Sequence, residues 1–150
     1  MFDKSKFYHY AFTYQTDSID KTIYLPITLI NGERRVDAVA LWDTGADLSV
    51  IDHRLVDILN CTNPIDASMI DAGGHVTQTQ AYNIDVQVPS DCIIPSVQFL
   101  VADYNRKRYR AIIGMNVMRH GDMAISFHDG KTTLSFRSPY QGIIDFTKDE

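Results

Sequence analysis

Apolar residues recur at every second position through much of this chain, the period of a half-buried β-strand. Ile23, Leu25, Ile27 and Leu29 alternate with more polar neighbours. Asn31-Gly32 then signals a two-residue hairpin, and a return strand runs through Val36, Ala38 and Ala40 to end at Asp43. Val39 and Leu41 face the other way on that strand. Ser49-Val50-Ile51 reads as a short strand, and Asp52 caps a short helix with Leu55, Val56, Ile58 and Leu59 on one side and a stop at Asn60. Pro64 opens irregular chain. Met69 to Thr77 reads as two strand ends about a glycine turn, and the second arm continues through Ile84, Val86 and Val88. Val97, Phe99 and Val101 mark another strand. Ala111 to Ile113 is an apolar strand running into Gly114, with Asn116 as the expected cap of a short helix ending near Gly121. Met123 to Phe127 and Thr132 to Phe136 form a final hairpin about Asp129-Gly130.

Both termini differ from this centre. Tyr8, Tyr10, Phe12 and Tyr14 alternate within a polar stretch, which suits an edge strand or an arm docked on a neighbour. The division expected is an arm over 1–21, one mostly β domain over 22–138, and a tail over 139–150 in which Gly142 to Phe146 is offered as an interface strand. The 150 residues suit a single domain, and 45% hydrophobic content is enough for a sizeable core. A net charge of −5 argues against nucleic acid as a partner. The basic run Arg106-Lys107-Arg108, with Arg110, reads as a solvated loop. Cys61 and Cys92 lie in no C-x-x-C motif and read as free thiols of a reducing compartment, although spacing leaves a disulfide open. The N-terminus has no apolar signal core, and no run is long enough to span a bilayer, so a cytoplasmic location without membrane contact is expected.

The candidate chemistry sits where the return strand of the first hairpin ends. Leu41-Trp42 delivers Asp43 directly into Thr44-Gly45-Ala46-Asp47. A carboxylate at the end of an apolar strand is costly to desolvate unless something hydrogen-bonds to it. Thr44 offers a hydroxyl, and Gly45 lets backbone amides come close. The five histidines are scattered without an H-E-x-x-H pair, so no metal is expected, and no G-x-S-x-G, catalytic Cys/His or phosphate loop is present. A faint internal symmetry links Val39–Ile51 with Ala111–Met118, since both run from apolar strand into a glycine turn, and only the first carries Asp-Thr-Gly.

The segment Asp43-Thr44-Gly45-Ala46-Asp47-x-Ser49-Val50 resembles the signature of the retropepsin-like aspartic proteases. Ile112-Ile113-Gly114-Met115-Asn116, about 70 positions later, resembles that family's second element, and the Ala72-Gly73-Gly74 turn falls between them, where the family has its flap. Cellular and bacterial single-domain members resemble this chain better than viral enzymes do. The resemblance covers roughly 22–138. It implies a closed acid-protease barrel with one or two short helices and a flap hairpin. It also implies hydrolysis of a polypeptide by a water activated between two aspartates, without a cofactor. Asp43, Thr44 and Gly45 match the catalytic positions, with Thr44 as a cross-dimer hydroxyl. Ala46, Asp47, Ala72, Gly73, Gly74 and Ile113 match positions that approach substrate. Only one Asp-Thr-Gly exists, so the second aspartate is expected from another copy in a symmetric homodimer.

The chain departs from the family at two places. Met115 stands where retroviral members carry an arginine that braces the residue matching Asp47; Arg110, Arg119 or solvent is left to serve Asp47. Trp42 replaces a small aliphatic residue and either fills core or walls the cleft. The alternative function is a non-catalytic dimerisation or peptide-binding module with the same fold.

Overall fold

The computed structural model describes residues 10–148. Ten strands and two short helices follow one another: β1 Ala11–Thr16, β2 Tyr24–Asn31, β3 Arg34–Trp42, β4 Ser49–Asp52, α1 His53–Ile58, β5 Ile65–Ile70, β6 Val76–Gln87, β7 Ile93–Ala102, β8 Ala111–Ile113, α2 Met115–Met118, β9 Asp122–Ser126 and β10 Thr132–Arg137. The larger sheet has the order β2-β3-β8-β4-β7-β6-β5. Thr28, Leu29 and Ile30 of β2 also pair with Gln87, Val86 and Asp85 of β6, so six strands close into a barrel and β5 stands outside the ring. Closure leaves β5 as the one outer edge of this sheet among the described residues. A separate sheet, ordered β1-β10-β9, packs beside the barrel.

The alternation that marks the strands also sorts their side chains. Leu25, Ile27, Leu29, Ala40, Trp42, Ile51, Ile84, Val86, Phe99, Ala111 and Ile113 fill the barrel interior, and Leu134 and Phe136 of β10 join the same core. Phe12 of β1, Trp42 of β3 and Phe136 of β10 meet with ring centroids 5.7–5.9 Å apart, Trp42 edge-on to both phenylalanines. Trp42 thus fastens the small sheet to the strand that leads into Asp43. Its Nε1 is buried with no hydrogen-bond partner among the described residues.

Several local expectations shift. The β2–β3 turn is Gly32-Glu33, because Asn31 still pairs with Arg34; Gly32 at φ 61 occupies the first central position, where a primed turn takes glycine. Asp52 caps α1 through Arg54 N–H, but Ile58 points to solvent while Leu55, Val56 and Leu59 are buried. Pro64 opens a strand rather than irregular chain, since β5 starts at Ile65 and pairs with β6 down to Ile70↔Val76. Of the alternating aromatics, Phe12 and Tyr14 lie on β1, Tyr10 just precedes it, and Tyr8 falls outside the described residues. Residues 139–148 form no strand. Gln141 and Gly142 donate N–H to the Asp122 carboxylate, and Ile143 and Phe146 are 91% and 77% exposed. Both cysteines are free thiols, and burial raises the pKa of each. No helix among the described residues is long and apolar enough to cross a membrane.

Candidate active site

Two parallel strands, β3 and β8, lie side by side with Trp42 opposite Ile113. The Asp43 N–H donates to the Ile113 carbonyl at 2.9 Å, so Asp43 begins where the ladder ends. The chain then turns: Ala46 N–H donates to the Asp43 carbonyl at 3.2 Å, and Gly45 N–H donates to Asp43 Oδ1 at 2.8 Å. A side chain at Gly45 would crowd that oxygen, with a Cβ only 3.1 Å from it. The carboxylate is half-buried, and Oδ2 has no hydrogen-bond partner among the described residues. Thr44, Gly45 and Asp47 are exposed and Ala46 is half-buried.

The loop is held from behind by residues whose role the sequence pattern did not reveal. Ser49 and Asn116 are both buried. Asn116 Oδ1 accepts from Ser49 N–H at 3.0 Å and from Ser49 Oγ at 2.7 Å, while its Nδ2 donates to the Gln98 carbonyl at 2.9 Å. Ser49 Oγ in turn accepts Gly114 N–H at 3.0 Å. Every polar atom of this pair is thereby satisfied inside an apolar setting, which makes the link stiff and costly to break. Asn116 sits inside α2 and is not its cap; Gly114 holds the cap position. Met115 and Asn116 donate N–H to the carbonyls of Ala46 and Asp47 at 2.8 and 3.2 Å. Gly114 is required by this closeness, because a Cβ there would lie 2.7 Å from the Ala46 carbonyl oxygen. The only sequence signals were a serine opening an apolar strand and an asparagine after Ile113-Gly114-Met115.

The barrel wall has a second face at Asp43. Leu41 is two residues before Asp43 and shares its side of β3. In register with Leu41 stand Tyr24 on β2 and Ile112 on β8. Ile112 packs with Leu48, Ala67, Met69 and Tyr104 around buried Val50, Ala81 and Leu100, a small cluster separate from the main core. Ile113, expected to approach substrate, instead points into the barrel and is fully buried; Ile112 takes the open face because adjacent strand residues alternate sides. Ala67 and Met69 bring the base of the β5–β6 hairpin onto this face. At its tip, Asp71 Oδ1 accepts N–H from Gly73 and His75, both at 2.9 Å, and Gly74 adopts φ 83. Ala72, Gly73 and Gly74 are all exposed there. His75 is exposed too, with Nδ1 3.3 Å from Asp71 Oδ2.

The loop between β7 and β8 closes the other side. Asp52 is fully buried and accepts from Arg54 Nε at 2.8 Å and Nη2 at 2.7 Å, and from Tyr104 N–H at 2.7 Å. The guanidinium beside it, assisted by the backbone donors, holds its carboxyl far below the ordinary carboxylate range against the opposing effect of burial. Arg54 also reaches Asp103 and Asn105. Burial raises the phenol pKa of Tyr104 well above normal, reinforced by Tyr109 and by the charges of Asp52 and Asp43. Tyr109 is raised by burial, then by Tyr24 and Asp43. Arg110 Nη1 donates to the Tyr104 and Lys107 carbonyls, and neither Arg110 nor Arg119 forms an ion pair with Asp47 among the described residues. Met115 is 42% exposed. The run Arg106–Arg108 is exposed, as expected.

No protein-family model and no curated protein matches the sequence. Solved structures do match the fold. A retropepsin-like aspartic protease from Rickettsia conorii aligns with a TM-score of 0.53 at 10% identity, over 85% of this chain and 94% of that one. The EIAV protease in complex with the inhibitor HBY-793 aligns with a TM-score of 0.53 at 20% identity, over 69% and 90%. At these identities the likeness concerns architecture alone: a mostly β chain with a closed six-stranded barrel and two short helices. The chain has the retropepsin-like aspartic protease fold.

Proposed function

We propose that this protein is a homodimeric aspartic endopeptidase in which Asp43 of one copy and Asp43 of a second share one proton. The observation that carries the reading is the Asp43 turn itself. Its carboxylate is half-exposed on the open face, held through one oxygen by Gly45 N–H, and braced by a buried polar clamp. Two carboxylates about 3 Å apart cannot both ionise, so their titrations split. The ionised one takes a proton from water as general base; the protonated one donates to the scissile carbonyl, and the water attacks without an acyl-enzyme. An extended peptide lies between the Asp43 loop and the β5–β6 hairpin, which closes over it and excludes water. Apolar side chains flanking the bond rest on Leu41, Ile112 and Met69.

The second copy docks against the small sheet, where β9 has no neighbour on its outer side among the described residues and Ile125 and Phe127 are exposed. The exposed apolar residues of the tail, Ile143 and Phe146, extend the same interface. The test pairs cleavage of a peptide library between about pH 4 and 7 with sedimentation of the protein. A dimer that cleaves, and an Asp43→Asn dimer that does not, are expected. A strictly monomeric active protein, or cleavage that survives Asp43→Asn, overturns the reading. Peptide binding without cleavage at any pH assigns the fold to a non-catalytic binding module instead.

A further inference from the structure

Beside Asp43 the open face carries an ordered shelf of three tyrosines that ends in a cationic cleft. Tyr24 flanks Leu41 on the strand face that Asp43 shares. The Tyr109 ring stacks on Tyr24, centroids 6.0 Å apart and planes 25° apart, and Tyr104 meets Tyr109 edge-on at 5.1 Å. The Arg108 guanidinium carbon lies 4.6 Å from the Tyr24 ring centroid. The loop that carries Tyr104, Arg108 and Tyr109 is pinned at both ends. Tyr104 is fixed at its N–H by buried Asp52 and at its carbonyl by Arg110, and Arg54 ties down Asp103 and Asn105. Past Tyr24 the surface opens into a cleft of about 400 Å³ whose lining includes Tyr14, Asp20, Lys21, Tyr24 and Arg108. Asp20 is the one carboxylate in that lining, and its oxygens are already taken by the hydroxyls of Thr16 at 2.7 Å and Ser18 at 2.6 Å. Arg108 and Lys21 have no hydrogen-bonded anion among the described residues; Arg108 acts on Asp20 only through space, so two cations face one carboxylate in this cleft of a protein of net charge −5.

We propose that this shelf and cleft form a specificity site for a substrate carboxylate: a Glu or Asp side chain held by Arg108 and Lys21, on a peptide whose apolar residue nearer the scissile bond lies on Tyr109 and Tyr24. The inference rests on the protease reading above and adds a charge requirement to it. Charge complementarity supplies the selection, and the stacked rings hold one another and the Arg108 guanidinium in place, so a passing peptide meets a preformed edge of aromatic and cationic groups. Ring steps of 5.1 and 6.0 Å and the 4.6 Å step to the guanidinium correspond to at most about five residues of extended chain at roughly 3.3 Å each.

The experiment uses peptides identical except for Glu, Gln or Lys scanned through positions two to five residues on either side of the bond. At one position, on one side, Glu should raise kcat/KM about tenfold over Gln, with Lys poorer still. The preference should shrink as salt rises. In Arg108→Ala it should fall close to parity, and in Arg108→Glu it should turn toward Lys. Equal cleavage of all three peptides at every position, or a Glu preference untouched by both variants, overturns the proposal. Binding of the same peptides to Asp43→Asn, followed by fluorescence anisotropy, separates the two ideas. Glu-selective binding, with no cleavage of any peptide by the wild type, removes the catalytic reading and keeps the carboxylate-binding site. Cleavage without charge selection does the reverse.

Discussion

β3 and β8 run parallel, pair over three residues, and each ends in a turn around a glycine, yet they do opposite things. The β3 turn turns its polar atoms outward: Asp43 half-exposed, Thr44 and Asp47 exposed. The β8 turn turns them inward: Gly114 N–H to Ser49, Asn116 to Ser49 and Gln98, and helix amides to the Ala46 and Asp47 carbonyls. A reactive carboxylate needs fixed geometry but must stay open to water and substrate, so the rigidity has to come from elsewhere. Here the second half of the faint internal repeat supplies it. The half without the aspartate is the mount for the half with it.

The comparison breaks hardest at Asp43. Asp43→Asn keeps shape and removes the carboxylate proposed as general base, so on that reading peptide cleavage should drop at least about a thousandfold while thermal melting stays within about 1 kcal/mol of wild type. Asn116→Ala should be the most damaging change to stability. It strands Ser49 N–H and the Gln98 carbonyl in the core, which costs about 3 kcal/mol and lowers Tm by about 9 °C. Asp52→Asn should cost about 2 kcal/mol, toward the low end for a buried pair because Arg54 is partly open to water. Its pH signature follows from the depressed folded-state carboxyl. The stabilisation is full above the ordinary carboxylate range and disappears only as pH falls through the lower folded value. Melts of wild type and Asp52→Asn should therefore differ by a constant amount from pH 8 to about 5 and converge in stronger acid. Ser49→Ala removes one acceptor and one donor and should cost about 1.5 kcal/mol in a denaturant titration. The smallest effect is expected from Met115→Arg, which places a cation near exposed Asp47 and should add at most about 0.5 kcal/mol at low salt. A gain well above that would show that Asp47 lacks a partner the fold was built to receive.

What the sequence made legible is what short-range chemistry encodes. Alternation located β2 and β3, and Asp-Thr-Gly marked the candidate site, because both are read over a few adjacent residues. The clamp was not readable, since Ser49 and Asn116 are 67 positions apart and each alone looks like an ordinary polar residue at an element end. Asn116 resembles a helix cap by type, but Gly114 preceded it into that position because only glycine fits against the Ala46 and Leu48 carbonyls. Ile113 is fully buried and its neighbour Ile112 is not, because adjacent strand residues face opposite sides and a motif match alone does not say which side faces the core. The first part of β5 was hidden by its own composition: Ile65-Asp66-Ala67-Ser68 has few strand formers and is held by pairing to β6. The closed barrel depends on β2 meeting β6, a pairing that no local pattern announces.

Trp42 has one more consequence. It is the only tryptophan in the chain, its indole is wedged edge-on against Phe12 and Phe136, and it is covalently next to Asp43. Nature has placed a single optical probe at the seam between the barrel and the small sheet. With Nε1 enclosed and lacking an acceptor, the emission should be at short wavelength, and the ring's asymmetric packing should give a sharp near-ultraviolet dichroism band. Any event that unseats the small sheet should shift that light to the red while the barrel's far-ultraviolet signal holds. Assembly at this seam can thus be watched without a label.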